Sequence, residues 1–210
     1  MVQEKDNRER QGWSFSNWCR GWSRPLLLPV ARFFAAHNIS PNAVTLIGLF
    51  FYALSGLMLA FGHRVTAGLI LAVFGPLDAV DGLLAREHGN QSRFGAFLDS
   101  TMDRYAEFFL FSGLLVYLWT NGHQGIFGPL MVLTAMTGSL LVSYTRARAE
   151  ALGFSCTVGM LTRLERLVLF AVGLIFNFIV PVLIVLAFFT HVTAIQRIWH
   201  VYKQTAASKR

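Results

Sequence analysis

The sequence predicts an all-α integral membrane protein, six transmembrane helices preceded by a short interfacial amphipathic helix, and three observations carry that prediction. Hydrophobic residues make up 54% of the chain and its mean hydropathy is +0.50, well above the norm for soluble domains. Apolar stretches of about 20 residues, the length that crosses a bilayer, recur six times along the chain. When these stretches are threaded alternately, 17 of the 18 Lys and Arg fall on one side, as expected of cytoplasmic segments.

Residues 1–23 read as a cytosolic N-terminal extension; they contain no apolar core of the kind a signal peptide needs. Residues 24–42 form an interfacial helix and turn. Arg24 and Arg32 flank Leu26, Leu27, Leu28, Val30 and Ala31 over about three turns, too short to cross and suited to lying on the inner leaflet. Ser40-Pro41-Asn42 then caps and turns into the first span. The six-helix transmembrane domain, residues 43–200, places its spans at 43–62, 66–85, 94–119, 125–144, 164–178 and 180–199. Gly75-Pro76 is expected to kink the second span. The third carries Asp99, Asp103 and Glu107 in its first half. Between the fifth and sixth, only Asn177 and Pro181 interrupt a long apolar run, so one kinked helix is the alternative there. Residues 201–210 are a cytosolic tail.

With both termini inside, six Lys or Arg precede the first span, three surround the acidic cluster, four lie between the fourth and fifth spans and four near the C-terminus. Only Arg64 is left outside. This threading puts the acidic cluster at the cytosolic boundary of the cell membrane. The balance of 18 basic to 11 acidic residues does not indicate nucleic acid, because no dense basic run is interleaved with aromatics. Cys19 and Cys156 have no CxxC or Cys/His spacing, which supports neither a disulfide framework nor a zinc site. The six histidines never cluster.

The chemistry lies between Leu77 and Arg104, where Asp78, Asp81, Arg86, Asp99, Asp103 and Arg104 stand at the ends of two apolar stretches. Ionisable groups at membrane depth are costly and are functional candidates by default. Asp78 and Asp81 are three apart and Asp99 and Asp103 four apart, so each pair projects from one helical face. Four converging carboxylates need cations between them, and hard oxygen donors in that number select Mg²⁺, Mn²⁺ or Ca²⁺. Gly82, Ala85 and Gly95 leave room for close approach of a ligand, and Arg86 or Arg93 can hold a phosphate. Together these residues describe a diphosphate site in which one carboxylate can take a proton from an attacking hydroxyl.

Asp78-x2-Asp81-Gly82-x2-Ala85-Arg86-x8-Gly95-x3-Asp99-x3-Asp103 matches the signature of the CDP-alcohol phosphatidyltransferase family, eight fixed residues over 26 positions. The resemblance implies a membrane enzyme, usually a homodimer, that transfers the phosphatidyl group of CDP-diacylglycerol to an alcohol and releases CMP. It implies two Mg²⁺ or Mn²⁺ ions held by Asp78, Asp81, Asp99 and Asp103, with Asp103 also the general base. It implies contacts to the CDP moiety from Gly82, Ala85, Arg86, Ser92 and Gly95. Pro41-Asn42-Ala43-Val44-Thr45 resembles a further family segment whose residues, here Asn42, Ala43, Val44 and Thr45, help bind the nucleotide.

The stretches 143–150 and 163–166 resemble elements of the bacterial phosphatidylinositol-phosphate synthases, although 153–159 departs from their glycine-rich, acidic loop. Arg146, Arg163 and Arg166 are expected to bind the phosphate of a phosphorylated acceptor, since three guanidiniums facing one cavity suit an alcohol phosphate better than a neutral alcohol. Inositol 1-phosphate is the favoured acceptor and glycerol 3-phosphate the alternative. The competing reading of these arginines is as topology determinants snorkelling to the headgroups, with Glu150 and Glu165 as helical ion-pair partners. The acids alone would also suit a proton or cation transporter. Transport requires neither the small residues nor the arginine between the acids, and no inverted repeat is visible.

Overall fold

The computed structural model of the chain describes residues 27–77, 80, 84, 92–121 and 125–207. Among the described residues it is all-helical, with seven helices: α1 (Leu27–Ala36), α2 (Pro41–Ala60), α3 (Arg64–Phe74), α4 (Arg93–Thr120), α5 (Phe127–Ala151), α6 (Arg163–Phe176) and α7 (Ile179–Ala207). α2, α5 and α7 are long and apolar enough to cross a membrane. α4 is 28 residues long but carries the charged residues of the site. The expected extension 1–23 and the last three residues of the tail lie outside the described residues.

Local signals account for three helix starts. Ser40 accepts from Ala43 N at 3.2 Å with Pro41 at the first helical position, the arrangement that a missing proline N–H and an oxygen cap favour. Ser92 caps α4 in the same way, accepting from Gly95 N at 2.9 Å. At the start of α6, Thr162 N donates to Glu165 at 2.5 Å, half of a capping box, so Glu165 serves as a helix cap.

Several expected boundaries are corrected. The helix expected over 66–85 stops at Phe74. Gly75 and Pro76 form a turn and Leu77 is helical again, because Pro76 has no N–H to continue the ladder. The single kinked helix considered for the fifth and sixth segments does not occur. Asn177 is left-handed at φ 64° and Phe178 N donates to Gly173 O at 2.9 Å, closing α6 as a Schellman-type end. Pro181 then sits in the first turn of α7, where a proline is tolerated. α5 runs seven residues past its expected end at 144, to Ala151. α7 continues beyond its expected end at 199 to Ala207, into what the sequence suggested was tail.

The bundle is held by close helix crossings at small residues, the usual solution where lipid offers no hydrophobic drive between helices. α2 crosses α4 at Gly56 and Gly113, where a carbon added at Gly113 would lie 2.1 Å from Gly56 O. α5 crosses α7 at Gly138, which faces Thr190, and α3 packs on α6 through Gly68 against Ala171 O. One core unites Tyr52, Leu59, Leu71, Leu110, Leu114, Val132, Phe170, Leu174 and Leu183 from all six of these helices. A second, smaller cluster joins Ala31 of α1, Val44 of α2, and Val80 and Leu84. It packs Val80 and Leu84 against α1 and the start of α2.

Outward-facing Phe50, Leu69, Val73 and Phe188 are more than half exposed, an apolar belt that only a lipid or partner surface makes economical. Hydroxyls within the helices are satisfied locally: Thr101, Thr134 and Thr145 each donate to the carbonyl four residues back at 2.8 Å. Arg64, the one basic residue that the threading leaves outside, donates to Leu174 O at 2.8 Å and Ile175 O at 3.1 Å. A cation at the carbonyl end of α6 is favourably placed, which accounts for an arginine at this position.

Candidate active site

The site is organised by one face of α4. Asp99, Asp103 and Glu107 recur every four residues and therefore stack one turn apart on a single face. α6 answers with Arg163, Arg166 and Phe170, also about one turn apart. The two rows meet rung by rung. Arg163 Nη1 lies 2.8 Å from Asp103 Oδ1 and Arg166 Nη2 lies 2.8 Å from Glu107 Oε1. Phe111 and Phe170 then meet edge to face at 5.4 Å between ring centroids. The ladder passes from charged to apolar along its length, so its charged end is where water and a substrate can reach.

The first rung faces the start of α2. Val44, Thr45, Tyr52, Asp103 and Arg163 line one cleft, and the Arg163 guanidinium stands 6.0 Å over the Tyr52 ring, within cation–π range. Asp103 is 16% exposed in its side chain and Arg163 21%, so both are sheltered yet reachable. Arg104 also approaches Asp103, at 3.6 Å. The cap of α4 closes the same end: a carbon added at Gly95 would lie 3.2 Å from Asn42 Oδ1 and 3.0 Å from Ser92 Oγ. Glycine gives Asn42 and Ser92 their closest fit at this end of α4. Thr45 Oγ1 donates to Pro41 O at 3.1 Å, and Ala43 N is taken by the Ser40 cap.

The structure therefore brings together, from distant parts of the sequence, Asn42, Val44, Thr45, Ser92, Gly95, Asp99, Asp103 and Arg163. Asp78, Asp81, Gly82, Ala85 and Arg86 lie outside the described residues. Among the described residues no cluster of three metal-ligating side chains occurs, since Asp99 and Asp103 are the only two signature acids described. Two carboxylates one turn apart, beside glycine and serine, are the donor set that a hard cation takes.

The other two arginines expected at the site are engaged differently. Arg146 pairs with Glu150 at 2.8 Å on α5, with both side chains about half exposed, the local helical pairing that the spacing allows. Arg166 is buried, 7% exposed, and is held by Glu107.

Two residues given no role by the sequence belong beside this set. Arg197 of α7 lies within electrostatic reach of Arg146, Arg166 and Glu150. It donates through Nε to Val158 O at 2.9 Å and through Nη1 to Val142 O. Thr193 and Met160 exchange two backbone-to-hydroxyl bonds at 2.7 and 3.0 Å, and Gln204 donates to Ser155 O at 2.7 Å. One face of α7 thus straps the segment between α5 and α6 in place. The signal for Arg197 was an arginine near the end of the last apolar stretch. The signal for Glu107 was a third acid in register with Asp99 and Asp103.

The family model described as CDP-alcohol phosphatidyltransferase matches residues 38–199. The archaetidylinositol phosphate synthase of Pyrococcus horikoshii is 32% identical over 176 residues, covering 83% of this chain and 90% of its own. The crystal structure of Mycobacterium tuberculosis phosphatidylinositol phosphate synthase with CDP-DAG bound superposes with a TM-score of 0.77 at 28% identity, covering 85% of this chain and 94% of that one. The same enzyme in complex with manganese and citrate gives 0.76 at 29% identity, covering 84% and 88%.

Proposed function

This chain belongs to the CDP-alcohol phosphatidyltransferase family, and from that premise we propose that it transfers the phosphatidyl group of CDP-diacylglycerol to a hydroxyl of inositol 1-phosphate, releasing CMP. The observation that carries this reading is the meeting of Arg163 and Asp103 at 2.8 Å in a cleft bounded by Val44 and Thr45. A cation for an acceptor phosphate and a carboxylate for its hydroxyl proton stand beside the segment assigned to the nucleotide. The relatives lend support on both substrates: one was solved with CDP-DAG bound, and those named above are inositol phosphate lipid synthases.

Asp78, Asp81, Asp99 and Asp103 would hold two divalent cations, Mg²⁺ or Mn²⁺, a reading supported by their hard oxygen donors and by manganese in a solved relative. When bound, these ions supply the positive charge that offsets the diphosphate as its phosphorus is attacked. Asn42, Ala43, Val44, Thr45, Gly82, Ala85, Arg86, Ser92 and Gly95 would surround the CDP moiety. In the transfer, Asp103 takes the proton of the acceptor hydroxyl. The hydroxyl oxygen bonds to the phosphorus bearing the diacylglycerol, the bond from that phosphorus to the bridging oxygen breaks, and CMP leaves with that oxygen and its electron pair. Arg163 would exchange Asp103 for the acceptor's phosphate, with Arg166 and Arg146 completing the cationic wall. The chain is read as six spans behind an interfacial helix in the cell membrane. Both termini and the site face the cytoplasm, a threading supported by the distribution of Lys and Arg. A homodimer is taken from the family resemblance alone.

Arg163→Ala is expected to raise the KM for the acceptor about tenfold or more, the cost of losing one charge-assisted hydrogen bond, while the KM for CDP-diacylglycerol changes little. An unchanged acceptor KM in both Arg163→Ala and Arg166→Ala would remove the phosphate pocket. The acceptor itself is tested with a panel of inositol 1-phosphate, glycerol 3-phosphate, inositol, glycerol and serine, read as CMP release. Inositol 1-phosphate is expected to give the highest kcat/KM. A higher value with glycerol 3-phosphate would transfer the assignment to that acceptor.

A further inference from the structure

The transfer chemistry proposed above makes no use of Glu107, yet both of its carboxylate oxygens are committed. Oε1 accepts from Arg166 Nη2 at 2.8 Å and Oε2 accepts from Ser139 Oγ of α5 at 2.8 Å. The pair is well buried, with side chains 8% and 13% exposed. A desolvated ion pair of this kind is seldom the most stable filling for its space, and apolar residues of similar volume would serve the packing as well or better. Its distinguishing property is direction: a carboxylate fixed from α5 holds a planar guanidinium in one orientation.

What that orientation controls lies one turn away. Arg166 Nη1 donates to Leu161 O at 3.3 Å, and Leu161 has φ 57°, a left-handed conformation that is strained for a bulky side chain. Leu161 turns the chain into α6, whose first residue is Arg163. Glu107 is thus connected through Arg166 and Leu161 to the point from which Arg163 reaches Asp103. Arg166 Nε is buried and has no hydrogen-bond partner among the described residues, so one N–H of the clamped guanidinium is left over for a ligand.

We propose that Glu107 is a positioning residue for acceptor recognition. Clamped by Ser139, it sets the orientation of Arg166 and, through Leu161, the place where Arg163 meets Asp103, so that two guanidiniums converge on one phosphate of the acceptor. The inference rests on the phosphorylated-acceptor reading above. It adds that the selectivity of the arginines is imposed from α4 and α5, elements that need not touch the acceptor.

The test is the KM of each substrate in wild-type protein and in Glu107→Gln, with CMP release as readout and inositol 1-phosphate as acceptor. Glu107→Gln is expected to raise the acceptor KM tenfold or more, since misplacing a binding group by about an ångström is costly, with the KM for CDP-diacylglycerol within about twofold of wild type. In an Arg166→Gln background the same substitution is expected to add nothing, because Glu107 acts through Arg166. Equal losses on both substrates, or a further rise in acceptor KM without Arg166, would overturn the proposal. If Glu107→Gln does not fold, Ser139→Ala decides: a rise of twofold or more in acceptor KM supports the clamp and an unchanged value overturns it. Wild-type protein that uses glycerol 3-phosphate and not inositol 1-phosphate would correct the acceptor alone, and the same comparison is then read with glycerol 3-phosphate. Wild-type protein releasing no CMP with any acceptor would remove the parent reading and this one with it.

Discussion

Asp103→Asn is expected to abolish CMP release from CDP-diacylglycerol, lowering kcat by about a thousandfold or more. Asparagine cannot take the proton of the acceptor hydroxyl, and the loss of a positioned general base alone costs on the order of 10²–10⁴-fold. The substitution also removes the negative partner of Arg163, which stands 2.8 Å away, and one of the four carboxylates assigned to the cations. Asp99→Asn is expected to be similarly inactive through the cations alone. Activity near the parent rate in both Asp78→Asn and Asp99→Asn would remove the metal assignment. Near-parent activity in Asp103→Asn would remove the base.

The second large effect concerns the frame that presents these aspartates. In Gly113→Val the first added carbon falls 2.1 Å from Gly56 O, and that neighbour is backbone, so no side chain can turn aside to relieve the clash. α2 and α4 would have to separate, and with them the cleft between Thr45 and Asp103. Overpacking of this kind costs about 3 kcal/mol, and at this chain length that lowers the thermal midpoint by roughly 10 °C. Gly48→Ala is the control, since its added carbon meets nothing within 4 Å, and its midpoint is expected to match wild type. Equal midpoints for Gly113→Val and Gly48→Ala in detergent would show that the crossing is not where the bundle is held.

What could be read from the sequence was what is local. The apolar stretches located the helices α2 to α7, three of which are long and apolar enough to cross a membrane. Ser40-Pro41 and Gly75-Pro76 marked a start and a break through the missing proline N–H. The four-residue spacing of Asp99 and Asp103 placed both on one face, and the pairing of Arg146 with Glu150 followed from the same rule. What could not be read was what joins segments far apart in the chain. Nothing near Glu107 says that Arg166 will meet it 59 positions later, and nothing near Arg64 points to the end of α6. The exact stopping points of α3 and α6 are set by a proline and by a left-handed Asn177, whereas hydropathy records only how apolar a stretch is. Asp78, Asp81, Gly82, Ala85 and Arg86, the most legible residues in the sequence, fall outside the described residues, and their proposed roles rest on the signature.

The proposed transfer of a phosphatidyl group to an alcohol phosphate depends on the aspartate cluster and its divalent cations. The most direct measurement is CMP release by the purified protein from CDP-diacylglycerol with inositol 1-phosphate, before and after a chelator and again after added Mn²⁺. The predicted result is release that requires the acceptor, stops with the chelator and returns with Mn²⁺. Release that continues unchanged in the chelator, or its absence with every alcohol phosphate tried, would contradict the account.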